Sequence, residues 1–318
     1  MSSLRQLLCL LLAVTLFLLP TGCGTKKGRA PGPIRAVVTI APLAGLVKPL
    51  LPASAEVTIL MAPGRSEHGE EFTADDLATL AKADVVVLVG MLLEPKVEAF
   101  LKDHPDPARQ VVNFADTVGI EGLAACDHDH ADGEHHHHDA EDPHLWLDPE
   151  LVAKVVPAIR AAVATVSKTI APEWSAPNIL AAEVELTAEI TRVSDEYRAA
   201  LAPHAGKGIV THHAAWGRLA DRYGLKVAEV LRPVESVEPD AAHTAAIIAA
   251  VKASGTGVIF VEPAYDRRSA ERVAQAAGAR LVTIDPLGTG DWAGMMRANL
   301  RGFLDAFTAP TPEPSNRR

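Results

Sequence analysis

At 318 residues with a net charge of −10, the chain is long enough for two domains, and its acidic balance argues against nucleic acid or an anionic membrane surface as a partner. Setting aside the first 22 residues removes only Arg5 among the charged groups, which leaves 29 basic against 40 acidic side chains. Of the three cysteines, Cys9 would be lost with a leader and Cys23 falls at its end. Cys126 then stands alone, so a sizeable core rather than an internal disulfide must supply the stability.

Residues 1–22 read as an export signal. Arg5 supplies the positive start, and Leu7 to Leu19 is an apolar run too short to cross a bilayer comfortably. The run ends in LLPTGC, which resembles a bacterial lipoprotein signal with Cys23 as the acylated first residue of the mature chain. Pro20 departs from that pattern, and plain secretion is the alternative. Residues 23–33, carrying Lys26, Lys27, Gly28, Pro31, Gly32 and Pro33, read as a tether.

From Ile34 onward, short β-branched runs alternate with helix-like stretches. RAVVTI (35–40), AEVTILM (55–61), DVVVLV (84–89) and RQVVNF (109–114) are predicted as buried strands. PLAGLVKPLL, TADDLATLAK and PKVEAFLKD lie between them as crossover helices, with Thr73 and Asp76 placed to cap the second. The rhythm returns in KGIVT (207–211), LKVAEVL (225–231), GVIFVE (257–262) and ARLVTID (279–285). An α/β fold of two similar lobes with parallel sheets follows, covering 34–172 and 204–310, with a tail at 311–318. Between the lobes, 173–203 holds Val184, Leu186, Ile190, Val193, Tyr197 and Leu201 near helical spacing. The region predicts one long helix of about 40 Å joining the lobes.

Four motifs each offer one metal ligand: His68 in APGRSEHGEEF, His144 in DPHLWLDP, His213 in IVTHHAAWGRLADRYGL and Asp285 in LVTIDPLG. His212 and His213 are adjacent on a strand end and face opposite ways, so only one can point into a cleft. His68, His213 and Asp285 follow the carboxyl ends of predicted strands, where open parallel sheets bind ligands. Three imidazoles and a carboxylate would fill a tetrahedral zinc shell. Two of the ligands have a bland alternative: a solvated loop histidine for His68, a turn or helix cap for Asp285.

The combination resembles the solute-binding lipoproteins of metal-ion ABC importers, those with a rigid linking helix, and among them the zinc branch. DPHLWLDP is the most specific match, and HHAAWGRLADRYGL assigns the third ligand to His213. APGRSEHGEEFTADDL places the first at His68 with Glu71 as an accompanying acid, and FVEPAYD with TIDPL gives Asp285 and places Glu262 behind the site. Ser66–Glu67 and Phe72 stand where prolines are usual, and Arg218 where an aromatic is common. The resemblance implies a monomeric, extracytoplasmic protein, lipid-anchored or free in the periplasm, that delivers Zn2+ to an ABC permease, with manganese or iron as the alternative cargo. Imidazole at the third position favours zinc over manganese. Neutral imidazoles are needed, so affinity is expected to fall as pH drops through about 6.5.

No phosphate-cradling Gly-x-x-x-x-Gly-Lys-Ser/Thr loop is present, so a separate ATPase would power transport. A secreted zinc hydrolase is the rival class, with Glu71 or Glu262 as base, but HExxH is absent and Asp285 would close the shell. DHDHADGEHHHHD (127–139) carries His128, His130, His135, His136, His137, His138 and Asp139 with no apolar residue but Ala131. It reads as a loop binding an additional ion weakly. Deleting it is expected to lower total stoichiometry and spare the tight site.

Overall fold

The structure, a computed structural model, describes residues 32–61, 64–68, 72–120, 142–233 and 239–308. The leader, Cys23, Glu71, Cys126, the histidine-rich stretch 127–139 and the tail 311–318 lie outside the described residues.

Two four-stranded parallel sheets repeat one topology. β1 (Arg35–Val38), β2 (Glu56–Ile59), β3 (Val85–Leu88) and β4 (Gln110–Asn113) pair in the order β2-β1-β3-β4. β5 (Gly208–His213), β6 (Lys226–Arg232), β7 (Val258–Val261) and β8 (Arg280–Thr283) pair as β6-β5-β7-β8. Each strand lies on a predicted run, with β5 and β6 reaching slightly beyond theirs. The expectation of buried strands needs correction at the edges. β3 and β7 are buried throughout, but β2 alternates exposed with half-buried residues and β6 begins with three exposed ones. An edge strand has a neighbour on one side only, so its polar positions can stay in water.

Helices α1 (Ala41–Val47), α2 (Ala74–Ala81) and α3 (Pro95–Asp103) make the crossovers of the first sheet. The Thr73–Asp76 pair forms a reciprocal capping box at α2. There the Thr73 hydroxyl accepts from the Asp76 amide at 3.2 Å, and the Asp76 carboxylate accepts from the Thr73 amide at 2.7 Å. After α4 (Phe114–Val118), the long α5 (Pro149–Ile170) covers the first sheet. The linking helix α6 (Ala176–Leu201) has 26 residues, about 39 Å at 1.5 Å per residue. The second lobe adds α7 (Gly217–Arg222), α8 (Ala241–Ser254), α9 (Arg268–Ala277) and α10 (Trp292–Thr308). The linking helix packs along α5 and reaches α10, where Tyr197 Oη donates to the Met296 carbonyl at 2.6 Å.

One apolar cluster runs from Val38 and Val87 of the first sheet through Ile159, Val163, Ile190 and Tyr197 to Phe260 and Phe303 of the second lobe. Among the described residues, two smaller clusters stand apart, around Leu80 in one lobe and Ile247 in the other. Swinging the lobes apart would expose that shared surface at about 25 cal/mol per Å2. The joint is therefore stiff.

No element is predicted after Asp285, yet α10 turns back onto the first lobe. Trp292 Nε1 donates to the Trp146 carbonyl at 2.8 Å, and Trp146 Nε1 to the Pro286 carbonyl at 2.6 Å. A Cβ at Gly45 of α1 would lie 2.5 Å from the Trp292 amide nitrogen, so glycine there permits the approach.

Candidate metal centre

The loop after β2 carries Ser66, Glu67 and His68. The Ser66 hydroxyl accepts from the His68 amide at 3.1 Å and hydrogen-bonds the Tyr265 hydroxyl across the cleft at 3.1 Å. His144 precedes a one-turn 3-10 segment, Leu145–Leu147, whose three side chains are fully buried and anchor the loop. Asp148 then caps α5, accepting from the Glu150 amide at 2.9 Å. His213 ends β5.

These segments bring Glu67, His68, His144 and His213 together, each with one ligand atom within 4.8 Å of the others. Glu67 Oε1 lies 3.0 Å from His144 Nε2 and 3.3 Å from His213 Nε2, and the two Nε2 atoms are 3.2 Å apart. Zinc bonds of about 2.0–2.1 Å in a tetrahedron would separate ligand atoms by about 3.4 Å, so these spacings already suit that ion. The ring centroids of His68, His144 and His213 form a near-equilateral triangle with sides of 5.1, 5.2 and 5.5 Å.

Carboxylates behind two rings fix which nitrogen faces inward. Asp142 Oδ1 sits 2.6 Å from His144 Nδ1 and also accepts from the His144 amide at 2.9 Å. Glu262 Oε2 sits 2.5 Å from His213 Nδ1, while its other oxygen accepts from Trp216 Nε1 at 3.1 Å. A carboxylate that close favours a proton on Nδ1, which leaves Nε2 to the centre.

The same acids set the titration. Burial disfavours a charged His213, but Glu262 and Glu67 outweigh it and push its pKa up to about 10. His144 is likewise buried, and Asp142 and Glu67 raise it above the ordinary imidazole value. Burial would raise Glu67, yet hydrogen bonds from His144 and His213 hold it well below the usual carboxylate range. His68 goes the other way, to about 4, through burial and then repulsion from His144.

Asp285 is not part of this group. Its Oδ1 accepts from the Leu287 amide at 3.0 Å and its backbone is clasped by Asn299, so it caps the turn after β8. The carboxylate grouped with the three histidines is Glu67, where Asp285 was expected. In the sequence, Ser66–Glu67 stands out only as a departure from a pattern. Adjacent residues in an extended chain face opposite ways, and the bend in this loop removes that alternation.

His212 behaves as strand alternation demands and stays out of the centre. It is fully buried beside Tyr265, ring centroids 4.9 Å apart, and neither ring nitrogen has a hydrogen-bond partner. Burial, helped by the nearby Arg232 charge, lowers its pKa to about 4. An unsatisfied buried polar group costs about 1–3 kcal/mol. His212→Phe is therefore expected to raise the midpoint of thermal unfolding of the metal-free chain. A lowered midpoint would show that the imidazole stabilises the fold instead.

The fold and site define a class: two βα lobes stiffly joined by a helix, with an interlobe cluster of metal-ligand side chains. The chain belongs to the family described as "ZnuA: Zinc-uptake complex component A periplasmic", whose profile matches residues 36–306. It is 26% identical over 314 residues to the zinc-binding protein AdcA of Streptococcus pyogenes serotype M3, covering 96% of this chain and 59% of that protein. It thus spans well under two thirds of that relative. It is 28% identical over 279 residues to the high-affinity zinc uptake system protein ZnuA of Bacillus subtilis, covering 85% of each. Among solved structures, a zinc-bound ZnuA deletion mutant superposes with a TM-score of 0.71 at 23% identity, covering 87% of this chain and 99% of that one. The periplasmic zinc-binding protein TroA of Treponema pallidum superposes at 0.70 with 20% identity, covering 87% and 100%.

Proposed function

We propose that this protein captures zinc outside the cytoplasm and hands it to the permease of an ABC-type importer, tethered to the membrane through acylated Cys23. The observation that carries the reading is the convergence of Glu67, His68, His144 and His213 from both lobes on one buried point. Three imidazoles suit zinc better than manganese, which prefers an oxygen-rich shell. The zinc-binding names of its relatives agree.

Four protein ligands would fill a tetrahedral shell and leave no corner for an attacking water, so binding and release fit the site better than hydrolysis. Among the described residues, no helix is long and apolar enough to cross a membrane. The membrane-embedded step would then belong to a partner.

The test is metal content and competitive affinity of the mature chain beside a His144→Ala form, with zinc and manganese offered together. One tightly held zinc in the parent and its loss in the variant is expected. Equal retention of manganese, or tight zinc binding that survives the substitution, would overturn the assignment.

A further inference from the structure

The short helix α7 (Gly217–Arg222) starts four residues after His213, and it carries two arginines one turn apart, Arg218 and Arg222. Both reach across to the segment that holds His144. Arg222 pairs with the Asp148 carboxylate through Nε at 3.0 Å and Nη2 at 2.5 Å, and with Glu150 through Nη1 at 2.6 Å. Arg218 Nε donates to the Asp142 carbonyl at 2.8 Å. One helix of the second lobe therefore grips both ends of 142–148 in the first.

The two contacts differ in what lies beyond them. Asp148 caps a helix, so Arg222 secures structure. Asp142 orients His144, so Arg218 acts one step from the metal centre. Gly217 leaves room for this arrangement, since a Cβ there would lie 3.2 Å from Asp142 Oδ2. The line of contact runs from His213 through α7 and Arg218 to Asp142 and the ring of His144.

We propose that Arg218 is a positioning residue for zinc: through Asp142 it fixes the ring of His144, and so couples retention of the ion to the contact between the lobes. This rests on the zinc-binding reading above. Loosening α7 from the first lobe would free Asp142, unfix the His144 ring and speed release. A docking permease needs such a handle in a molecule whose stiff core resists wide opening.

Residues that orient a metal-bound histidine typically account for a 10- to 100-fold effect on affinity. One contact further out, Arg218→Met is expected to weaken zinc binding about tenfold, chiefly through faster dissociation into a chelator. The cobalt-substituted protein should show an altered visible absorption spectrum. Arg218→Lys should recover part of the loss. In an Asp142→Asn background the Arg218→Met change should add little, because the path it acts through is already cut.

The metal-free chain supplies a readout independent of zinc. The His144 Nδ1 proton facing Asp142 should give a downfield proton resonance that broadens or disappears in Arg218→Met. An unchanged resonance, or unchanged zinc dissociation, would overturn the positioning role, and so would additive losses in the double variant. Failure of the unaltered chain to hold zinc at all would instead overturn the underlying assignment, with the resonance still deciding the role of Arg218.

Discussion

Glu67→Gln should cost the chain its tight zinc site, whereas Asp285→Asn should leave affinity within a few-fold of the parent. Structural zinc sites are worth about 10–16 kcal/mol at pH 7. One ligand of four then carries on the order of 3 kcal/mol, which is about a hundredfold in dissociation constant. Glu67 is 2% exposed and touches both Nε2 atoms that must face the ion. Glutamine keeps its shape but brings no charge to offset the cation. Asp285 has its carboxylate committed to the Leu287 amide, a turn contact that asparagine's side-chain oxygen can also make. Competition against a fluorescent zinc chelator separates the two variants. A large loss in Asp285→Asn beside a mild one in Glu67→Gln would restore Asp285 as the fourth ligand.

Zinc binding should expel at least one proton per ion at pH 7, and affinity should keep rising to about pH 9. In the metal-free chain His213 has a pKa near 10 and His144 lies above the ordinary value, so protons occupy positions that zinc must take. A raised pKa means that the metal competes with protons below that value, and each displaced proton adds up to one log unit of affinity per pH unit. His68, near 4, is already neutral and contributes none. Free imidazoles would have placed the transition near 6.5, as the sequence suggested. The acids Glu262, Asp142 and Glu67 move it upward. Calorimetry in buffers of different ionisation enthalpy counts the protons, and a plateau in affinity above pH 6.5 would refute the titration.

The linkage also acts on the metal-free fold. His213 is protonated more readily folded than unfolded, so its stabilising contribution is complete below about pH 6.5 and disappears as pH rises towards 10. His68 and His212, both near 4 when folded, act oppositely and cost stability as pH falls from 6.5 to 4. Zinc would replace the protons shared in the centre, and the loaded protein should then be the less pH-sensitive form between neutrality and pH 9.

What the amino-acid sequence determined by itself was whatever local chemistry and period dictate. Continuous valine runs gave the strands, Thr73 and Asp76 gave a cap, and the absence of glycine and proline after Pro177 gave the long α6. Strand alternation admitted only one of His212 and His213 to a cleft, the resemblance of HHAAWGRLADRYGL chose His213, and the anchored DPHLWLDP segment marked His144. Only the tertiary structure decided the carboxylate corner, because Glu67 and Asp285 are equally good ligands on paper and a bend in one loop aims one of them inward. The return of α10 onto the first lobe and the reach of Arg218 to Asp142 were also decided there. Those contacts join residues far apart in the chain, and no local pattern encodes which distant surfaces will meet.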